Sequence, residues 1–367
     1  MPSQKPRILF TVTNDLSFDQ RMQRICRTLS NAGFDITLIG FIKDWSVDLA
    51  KESYNQKRLS LFFRKGKLFY IEYNLRLFFL LLFSRANVIC SIDLDTLGAG
   101  WLASRFKKTK LVHDAHEYYS ELPEVVSRKI IYFFWSSLES FLLQRIPHNY
   151  TVSKTIADAL TVRYGQPYRV FPNLPIKRDA QTKVASSQTD YILYQGTLNR
   201  GRGLEEAMCA TKLESFNLKI AGEGDLSEQL REEGKKYGAQ VEFIGYLNPV
   251  ELRGLTAGAW MGINLLEDQG LSYYYSLSNK FFDYVHAGIP QITMNFPEYR
   301  RFNSEFEVAI LVDDINPKKI AEVIALLKND PARYSILKEN CKKAREKWNW
   351  QAKETELIAF YKQLIEA

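Results

Sequence analysis

The chain has 367 residues, of which 46% are hydrophobic and 25% charged. That suits a soluble globular protein of about two domains and excludes disordered and collagen-like chains. The formal charge is +7 and unevenly spread: residues 1–180 hold 26 Lys+Arg against 16 Asp+Glu, and residues 181–367 hold 23 against 26. A basic first half suits an anionic partner such as a lipid head group, a lipid phosphate or nucleic acid. Cys26, Cys90, Cys209 and Cys341 are far apart and form no Cys-x-x-Cys pair. This argues against a disulfide scaffold or zinc and fits a cytoplasmic location. The opening Met-Pro-Ser-Gln-Lys-Pro-Arg-Ile-Leu-Phe runs straight into a strand and carries no signal-peptide pattern.

In chain order, Arg7–Thr13 reads as a buried strand, Gln20–Ala32 as a helix closed by Gly33, and Asp35–Gly40 as the next strand. This β-α-β unit implies a parallel sheet. The loop Asn14–Asp19 lies at the carboxyl edge, where such sheets bind ligands, but it has no glycine and is no Gly-rich phosphate cradle. Lys57–Arg85 is rich in Lys, Arg and aromatic residues. Only eight residues separate Arg76 from Arg85, against roughly 20 for a membrane-spanning helix. It reads first as a core helix between strands. A second reading makes Phe62, Phe63, Arg64, Lys65 and Lys67 an interfacial patch in peripheral contact with an anionic membrane at the inner face of the cytoplasmic membrane.

Strands follow at Asn87–Ile92 and Lys110–His113, with a helix Thr96–Ser104 between them. Asp93, Asp95, Asp114, His116 and Glu117 therefore gather at strand ends. A helix Lys129–Gln144, a strand His148–Val152, a helix Ser153–Tyr164 and a strand Arg169–Phe171 complete the half. Pro172–Pro175 and the polar run Lys177–Asp190 mark a boundary and linker. The basic residues spread over a packed sheet rather than one helix or arm, which argues against a nucleic-acid partner.

The second half begins a new α/β count. Strands are expected at Tyr191–Tyr194, Asn217–Ala221, Val241–Ile244, Trp260–Asn264, Gln291–Met294 and Val308–Val312. Helices are expected at Leu204–Leu213, from Asp225 to Tyr237, at Asn248–Ala257, Pro317–Lys328, Ala332–Lys347 and about Gln351–Ile365. Three strand ends carry special loops. Gln195–Gly203 holds Gly196, Arg200, Gly201, Arg202 and Gly203; Gly222-Glu223-Gly224 follows the next strand; Gly245 ends the third. Glycine lets backbone approach a phosphate, and arginine pairs with it in bidentate fashion. The stretch Ser276–Asn295 forms a helix capped by Ser278 and Asn279, with Lys280 in its first turn and Asp283 one turn on. Its free amides and cation suit a pyrophosphate, and its acid suits the hydroxyls of a ribose. A capped helix or a solvated loop would look alike one at a time; their recurrence in one half carries the reading.

Together these motifs resemble the GT-B glycosyltransferases of family four, the retaining group 1 type. The resemblance rests on Gly201-Arg-Gly-Leu204, Ala221-Gly-Glu-Gly224, Phe243-Ile-Gly-Tyr246 and Asn279-Lys-Phe-Phe-Asp-Tyr-x-x-Ala-Gly-x-Pro290. It also rests on Asp19-Gln-Arg21, Asp93-Leu-Asp95 and Val112-His-Asp-Ala-His116-Glu117, and it covers essentially the whole chain. It implies an α/β fold of two Rossmann-like domains with an interdomain cleft: 1–175 for the acceptor, 176–347 for the nucleotide sugar, and a closing helix over 348–367 that packs back on the first. It implies a hexosyl transfer with retention from a UDP- or GDP-sugar to a saccharide or lipid-linked acceptor, in cell-surface polysaccharide assembly, with no cofactor and no obligatory metal.

Residue by residue, it implies that Arg202 and Lys280 hold the donor diphosphate and that His116 faces the transferred sugar. Gly196, Arg200, Gly203, Gly222, Glu223, Gly245, Glu267, Ser278, Asn279 and Asp283 would line the donor site. Asp19, Arg21, Asp93, Asp95 and Glu117 would meet the acceptor. The chain departs from the family at Tyr275, where the first acid of Glu-x7-Glu is expected, at Thr197, where a second arginine often stands, and in lacking a Gly-Gly loop after the first strand. A sugar-nucleotide 2-epimerase and a non-catalytic nucleotide-sugar-binding subunit are the alternatives.

Overall fold

The structure, a computed structural model, describes residues 5–17, 19–44, 46–178 and 191–366. The first four residues and most of the expected linker, 179–190, lie outside the described residues, as does Ala367 at the end of the closing segment. The chain forms two compact units, Met1–Asn173 with Lys353–Ala367, and Leu174–Ala352. The division falls within Pro172–Pro175, where two prolines interrupt the ladder.

The first unit holds strands β1 (Arg7–Thr11), β2 (Asp35–Phe41), β3 (Asn55–Leu59), β4 (Val88–Ile92), β5 (Lys110–Ala115), β6 (His148–Thr151) and β7 (Tyr168–Val170). All pair in parallel, in the order β3-β2-β1-β4-β5-β6-β7. Its helices are α1 (Gln20–Asn31), α2 (Gly66–Phe83), α3 (Asp93–Lys107), the short α4 (Pro123–Val126), α5 (Lys129–Leu143) and α6 (Lys154–Tyr164). The second unit holds β8 (Tyr191–Gln195), β9 (Asn217–Ala221), β10 (Val241–Gly245), β11 (Met261–Asn264), β12 (Gln291–Met294) and β13 (Ala309–Val312), in parallel order β10-β9-β8-β11-β12-β13. Around them lie α7 (Leu204–Leu213), α8 (Ser227–Gly234), α9 (Pro249–Gly258), α10 (Leu271–Tyr274), α11 (Asn279–Ala287), α12 (Pro297–Glu305), α13 (Pro317–Asn329) and α14 (Pro331–Lys347). The last helix, α15 (Gln351–Glu366), lies almost wholly in the first unit. There Tyr361 packs edge-on to Phe10 with ring centres 5.8 Å apart, and its hydroxyl lies 3.1 Å from that of Tyr150.

Central strands such as β4 and β8 are buried along their whole length, because helices cover both sheet faces. Each sheet reverses its winding once, between β1 and β4 and between β8 and β11. Beyond the carboxyl ends of strands at such a reversal, an open α/β sheet leaves a crevice. The polar residues singled out in the sequence lie at those ends.

Several elements differ from expectation. The segment Lys57–Arg85 is a strand and a helix: β3 claims its start, and α2 buries only Phe69, Tyr73, Leu77 and Leu81. Its uniform apolarity signals full burial, but the fold covers one side. Helix α3 starts at Asp93 rather than Thr96, because Asp93 takes a left-handed φ of +53° and turns the chain directly from strand into helix. Helix α12 has only Tyr299 and Phe302 as buried apolar anchors, too few to show as periodicity. The four cysteines are free. Among the described residues, no helix is long and apolar enough to cross a membrane.

Candidate functional site

In the second unit the glycine-rich strand ends are zipped together. Gly196 N–H donates to Ala221 O at 3.0 Å, Gly222 N–H to Gly245 O at 2.8 Å, and Leu198 N–H to Glu223 O at 3.2 Å. A Cβ on Gly222 would stand 1.9 Å from the Gly196 carbonyl oxygen, so only glycine fits. Gly203 begins α7 with φ +61°, wedged against Ile315 and Leu265. Beside Gly196 runs the Lys280 side chain, 8% exposed, with Nζ 4.1 Å from the centre of the Tyr194 ring. Asp283 acts on it as a charge, but among the described residues no carboxylate forms an ion pair or hydrogen bond with it. Burial first, and then the positive charge of Arg202, hold its pKa well below the lysine value, with Asp283 pulling the other way. Arg202 stands over the Tyr273 ring at 5.2 Å, and its buried Nε has no hydrogen-bond partner among the described residues. Burial pushes the Tyr194 hydroxyl up to about 12, against the opposing charge of Arg202. Two cations and two tyrosines therefore share one neighbourhood that holds too little negative charge.

Ser278 occupies the N-cap of α11 but does not cap it. Its Oγ donates instead to Asn264 Oδ1 at 2.8 Å, and its N–H donates to the Tyr299 hydroxyl oxygen at 3.1 Å. The start of α11 thus lacks a side-chain cap, contrary to the sequence reading, and keeps its positive end uncompensated. One turn on, Asp283 accepts from Gln195 Nε2 at 3.0 Å, and Gln195 Oε1 accepts from Thr256 Oγ1 at 2.6 Å. Asn279 is exposed at the helix start. Arg200 is exposed in its loop; Glu267 is part-buried and ties its own loop to the Gly201 carbonyl by a 2.9 Å backbone bond. Glu223 pairs with Arg231, and its carboxylate lies against the Gly245 strand end.

In the first unit, the ends of β4 and β5 bring a second polar cluster together. Arg21, 5% exposed, donates to Asp114 Oδ1 at 3.0 Å, to Phe171 O at 2.9 Å and to His116 Nε2 at 3.0 Å. The same His116 nitrogen lies 3.0 Å from Asp114 Oδ2. One proton decides between them: Nε2 accepts from Arg21 when bare and donates to Asp114 when protonated. Burial alone would lower the His116 pKa, but the Asp114 and Asp93 carboxylates outweigh it and raise it. Burial would likewise raise Asp114, yet Arg21 and His116 hold it below the usual carboxylate range. Asp93 accepts from the His116 backbone N–H at 2.8 Å; desolvation pushes it up to about 8, with Glu117 and Asp95 adding repulsion against the pull of His116. Desolvation also pushes Asp95 up to about 6; Thr13 donates to one of its oxygens, and the other is buried with no partner among the described residues.

Several residues expected at the acceptor have internal partners in the structure. Arg21, expected to meet an acceptor, has three nitrogens engaged by internal partners, one of them His116 Nε2. Asp19 caps α1 through the Met22 N–H at 2.9 Å and accepts from Asn14 at 2.6 Å. Glu117 is exposed and faces Asp93 and Asp95 electrostatically. The sequence reading left Tyr194, Gln195, Asn264 and Tyr273 out. Gln195, a polar residue closing a buried apolar strand, was the one with a readable signal.

Against known families, residues 20–174 match the model of Glycosyltransferase Family 4, and residues 176–348 match that of Glycosyl transferases group 1. No protein of curated function is significantly similar in sequence. Among solved structures, the chain resembles a sucrose-phosphate synthase from Thermosynechococcus elongatus (17% identity, TM-score 0.82, covering 99% of this chain and 100% of that one). It also resembles HepE from Anabaena in complex with UDP-glucose (11%, 0.76, 97% and 99%) and a putative UDP-N-acetylglucosamine 2-epimerase from Listeria monocytogenes (13%, 0.65, 99% and 97%). At these identities the likeness speaks for the fold.

Proposed function

We infer the reaction from one premise, that the chain belongs to the group 1 glycosyltransferases of GT-B fold. It moves a hexosyl residue from a UDP- or GDP-sugar to a saccharide or lipid-linked acceptor with retention of configuration. The bond from the anomeric carbon to the diphosphate breaks, its electron pair going to the departing phosphate oxygen; the acceptor oxygen bonds to that carbon on the same face, and its proton passes to the departing phosphate. Arg202, Lys280 and the uncapped start of α11 meet the charge on the departing phosphate, prearranged so that little reorganisation is needed as it develops. Asp283, held by Gln195, accepts from the donor ribose hydroxyls. In the first unit, His116 and the Asp93–Asp95 pair bind sugar and acceptor hydroxyls, with Arg21 fixing the imidazole. The role proposed for the protein is in cell-surface polysaccharide assembly.

The observation that carries this reading is the charge of Lys280 and Arg202: both are drawn inward, and among the described residues neither stands within ion-pair distance of a carboxylate, Asp283 acting on Lys280 only from further off. That arrangement is costly for an isolated protein and suits a polyanionic ligand. The test is sugar transfer and nucleotide release by Arg202→Ala. Turnover should fall by about 10²-fold or more, as when one preorganised charge-stabilising donor is removed. Near-wild-type turnover would exclude this diphosphate site, and an epimer appearing from a UDP-sugar without acceptor would favour the epimerase instead.

A further inference from the structure

We propose that one face of the first unit, built from α2, α3 and α5, docks on a bilayer containing anionic lipid. Every phenylalanine that stands exposed among the described residues lies between residues 62 and 141. At 100° per residue, Leu68, Ile71, Leu75, Phe79 and Phe83 form a stripe on α2 directly opposite its buried stripe. Helix α3 adds Leu102 and Phe106, and α5 adds Ile130, Phe133, Phe134 and Phe141 at helical spacing. Phe83, Phe106, Ile130 and Phe133 are 82%, 71%, 81% and 74% exposed.

The stripes form one face. Phe78 meets Phe106 with ring centres 6.0 Å apart, Trp101 meets Phe141 at 5.4 Å, and Tyr70 meets Trp135 at 5.7 Å, so the three helices are stitched side by side. At about 200 Å² per fully exposed large side chain, the apolar area is on the order of 1,000 Å². A monomer rarely leaves more than a few hundred Å² of continuous apolar surface to water.

Charge selects the occupant. The apolar residues run along the helices, and cations stand at their ends: Lys65 and Lys67 at the start of α2, Arg85 after it, and Arg105 and Lys108 closing α3. Lys129 and Arg145 bracket α5 in the same way. The acids of these helices do not face outward as free charges. Glu72 is occupied by the Phe62 and Phe63 amides and by Arg76; Glu139 is 2% exposed and Asp95 7%; Asp93 is bound to the His116 amide. An apolar face with cations at its helix ends, on which the described acids of α2, α3 and α5 are buried or engaged, matches the boundary between acyl chains and anionic head groups. No described helix can cross the bilayer, so the face lies on it.

The face also borders the polar cluster. Asn74 of α2 donates to the Asp95 carbonyl oxygen at 2.8 Å, and Tyr119 packs on Trp135 at 5.0 Å. An acceptor anchored in lipid would therefore present its head to Asp93, Asp95 and His116; only this last step rests on the reading given under Proposed function.

The test is flotation of the full chain with phosphatidylcholine vesicles, with and without phosphatidylglycerol. The wild type should float with the anionic vesicles and stay behind with the neutral ones. The variant Phe106→Ser/Phe133→Ser and the variant Lys65→Glu/Lys67→Glu should each lower partitioning by ~20-fold or more, since one cation near the surface alone is worth about fivefold. Both should keep the wild-type melting temperature and its shift with UDP or GDP. Failure to float with anionic vesicles overturns the proposal, as does flotation undiminished in both variants. So does a lipid-free dimer that the phenylalanine variant dissociates, which would make a second copy the occupant. Nucleotide binding is read separately: a protein that floats but binds neither UDP nor GDP would sink the transferase reading and leave the docking face standing.

Discussion

Replacing Lys280 with methionine keeps a straight apolar chain and removes the charge, and two consequences of opposite sign follow. In the ligand-free protein, burying an ammonium costs several kcal/mol even after relaxation, and Arg202 adds repulsion. The face of Tyr194 returns about 2 kcal/mol for a desolvated cation. The variant should therefore be more stable by about 1–2 kcal/mol, roughly 2–8 °C in the unfolding of the second unit. The pH course has a fixed sign. The folded-state pKa of Lys280 is depressed, so between that value and the ordinary lysine range the unfolded chain holds more protons than the folded one. Wild-type stability therefore rises with pH across that window, and the advantage of Lys280→Met shrinks over it. With nucleotide present the order reverses. Losing a charged hydrogen bond to a phosphate costs ~1.5–3 kcal/mol, about 10- to 150-fold in Kd for UDP or GDP. Thermal unfolding with and without nucleotide reads both effects. A variant that melts below wild type when free, yet keeps the full nucleotide shift, would refute the reasoning, because Lys280 would then be a structural cation with its charge already satisfied.

Two further substitutions probe the scaffold and the second cluster. Gly222→Ala drives a Cβ into the Gly196 carbonyl, backbone against backbone, and should cost at least ~3 kcal/mol and about 10 °C by calorimetry. Gly288→Ala, left-handed but facing open space, should cost only about 1 kcal/mol. Equal melting temperatures would show that the strand ends are not zipped as described. Asp93→Asn keeps an oxygen for the His116 amide, tolerates the left-handed backbone and cannot ionise. The folded-state pKa of about 8 means that the stability contributed by Asp93 is present below the ordinary carboxylate range and lost as the pH climbs to about 8. The variant should gain on the wild type from pH 5 to pH 8 in urea unfolding; parallel profiles would place Asp93 in a wetter, ordinary setting.

What could be read from the sequence was whatever depends on near neighbours. Parallel strands with apolar cores, and glycines at three successive strand ends, show in short windows because each is a local demand of backbone geometry. The second-unit cations were legible for the same reason: Arg202 lies among glycines, and Lys280 follows two capping residues. Roles set by distant partners were not legible. Ser278 looks like a cap until Asn264, fourteen residues earlier, takes its hydroxyl. The motif around Glu223 gives no sign of its ion pair with Arg231 on the next helix. Gln195 is tied to partners 61 and 88 residues away, and Arg21 to one 93 residues away. Helix α2 misled for a different reason, since composition alone cannot tell an apolar face that meets protein from one that meets something else.

The placement of α15 has a bearing on how the molecule comes into being. The second unit is one continuous run of chain, Leu174–Ala352, whereas the first needs Tyr361, wholly buried beside Phe10 and Tyr150, to finish its interior. A chain emerging from the ribosome can therefore close its later half before its earlier one, inverting the usual N-to-C order of maturation. Until α15 arrives, the nascent first half must wait with an aromatic socket open to water.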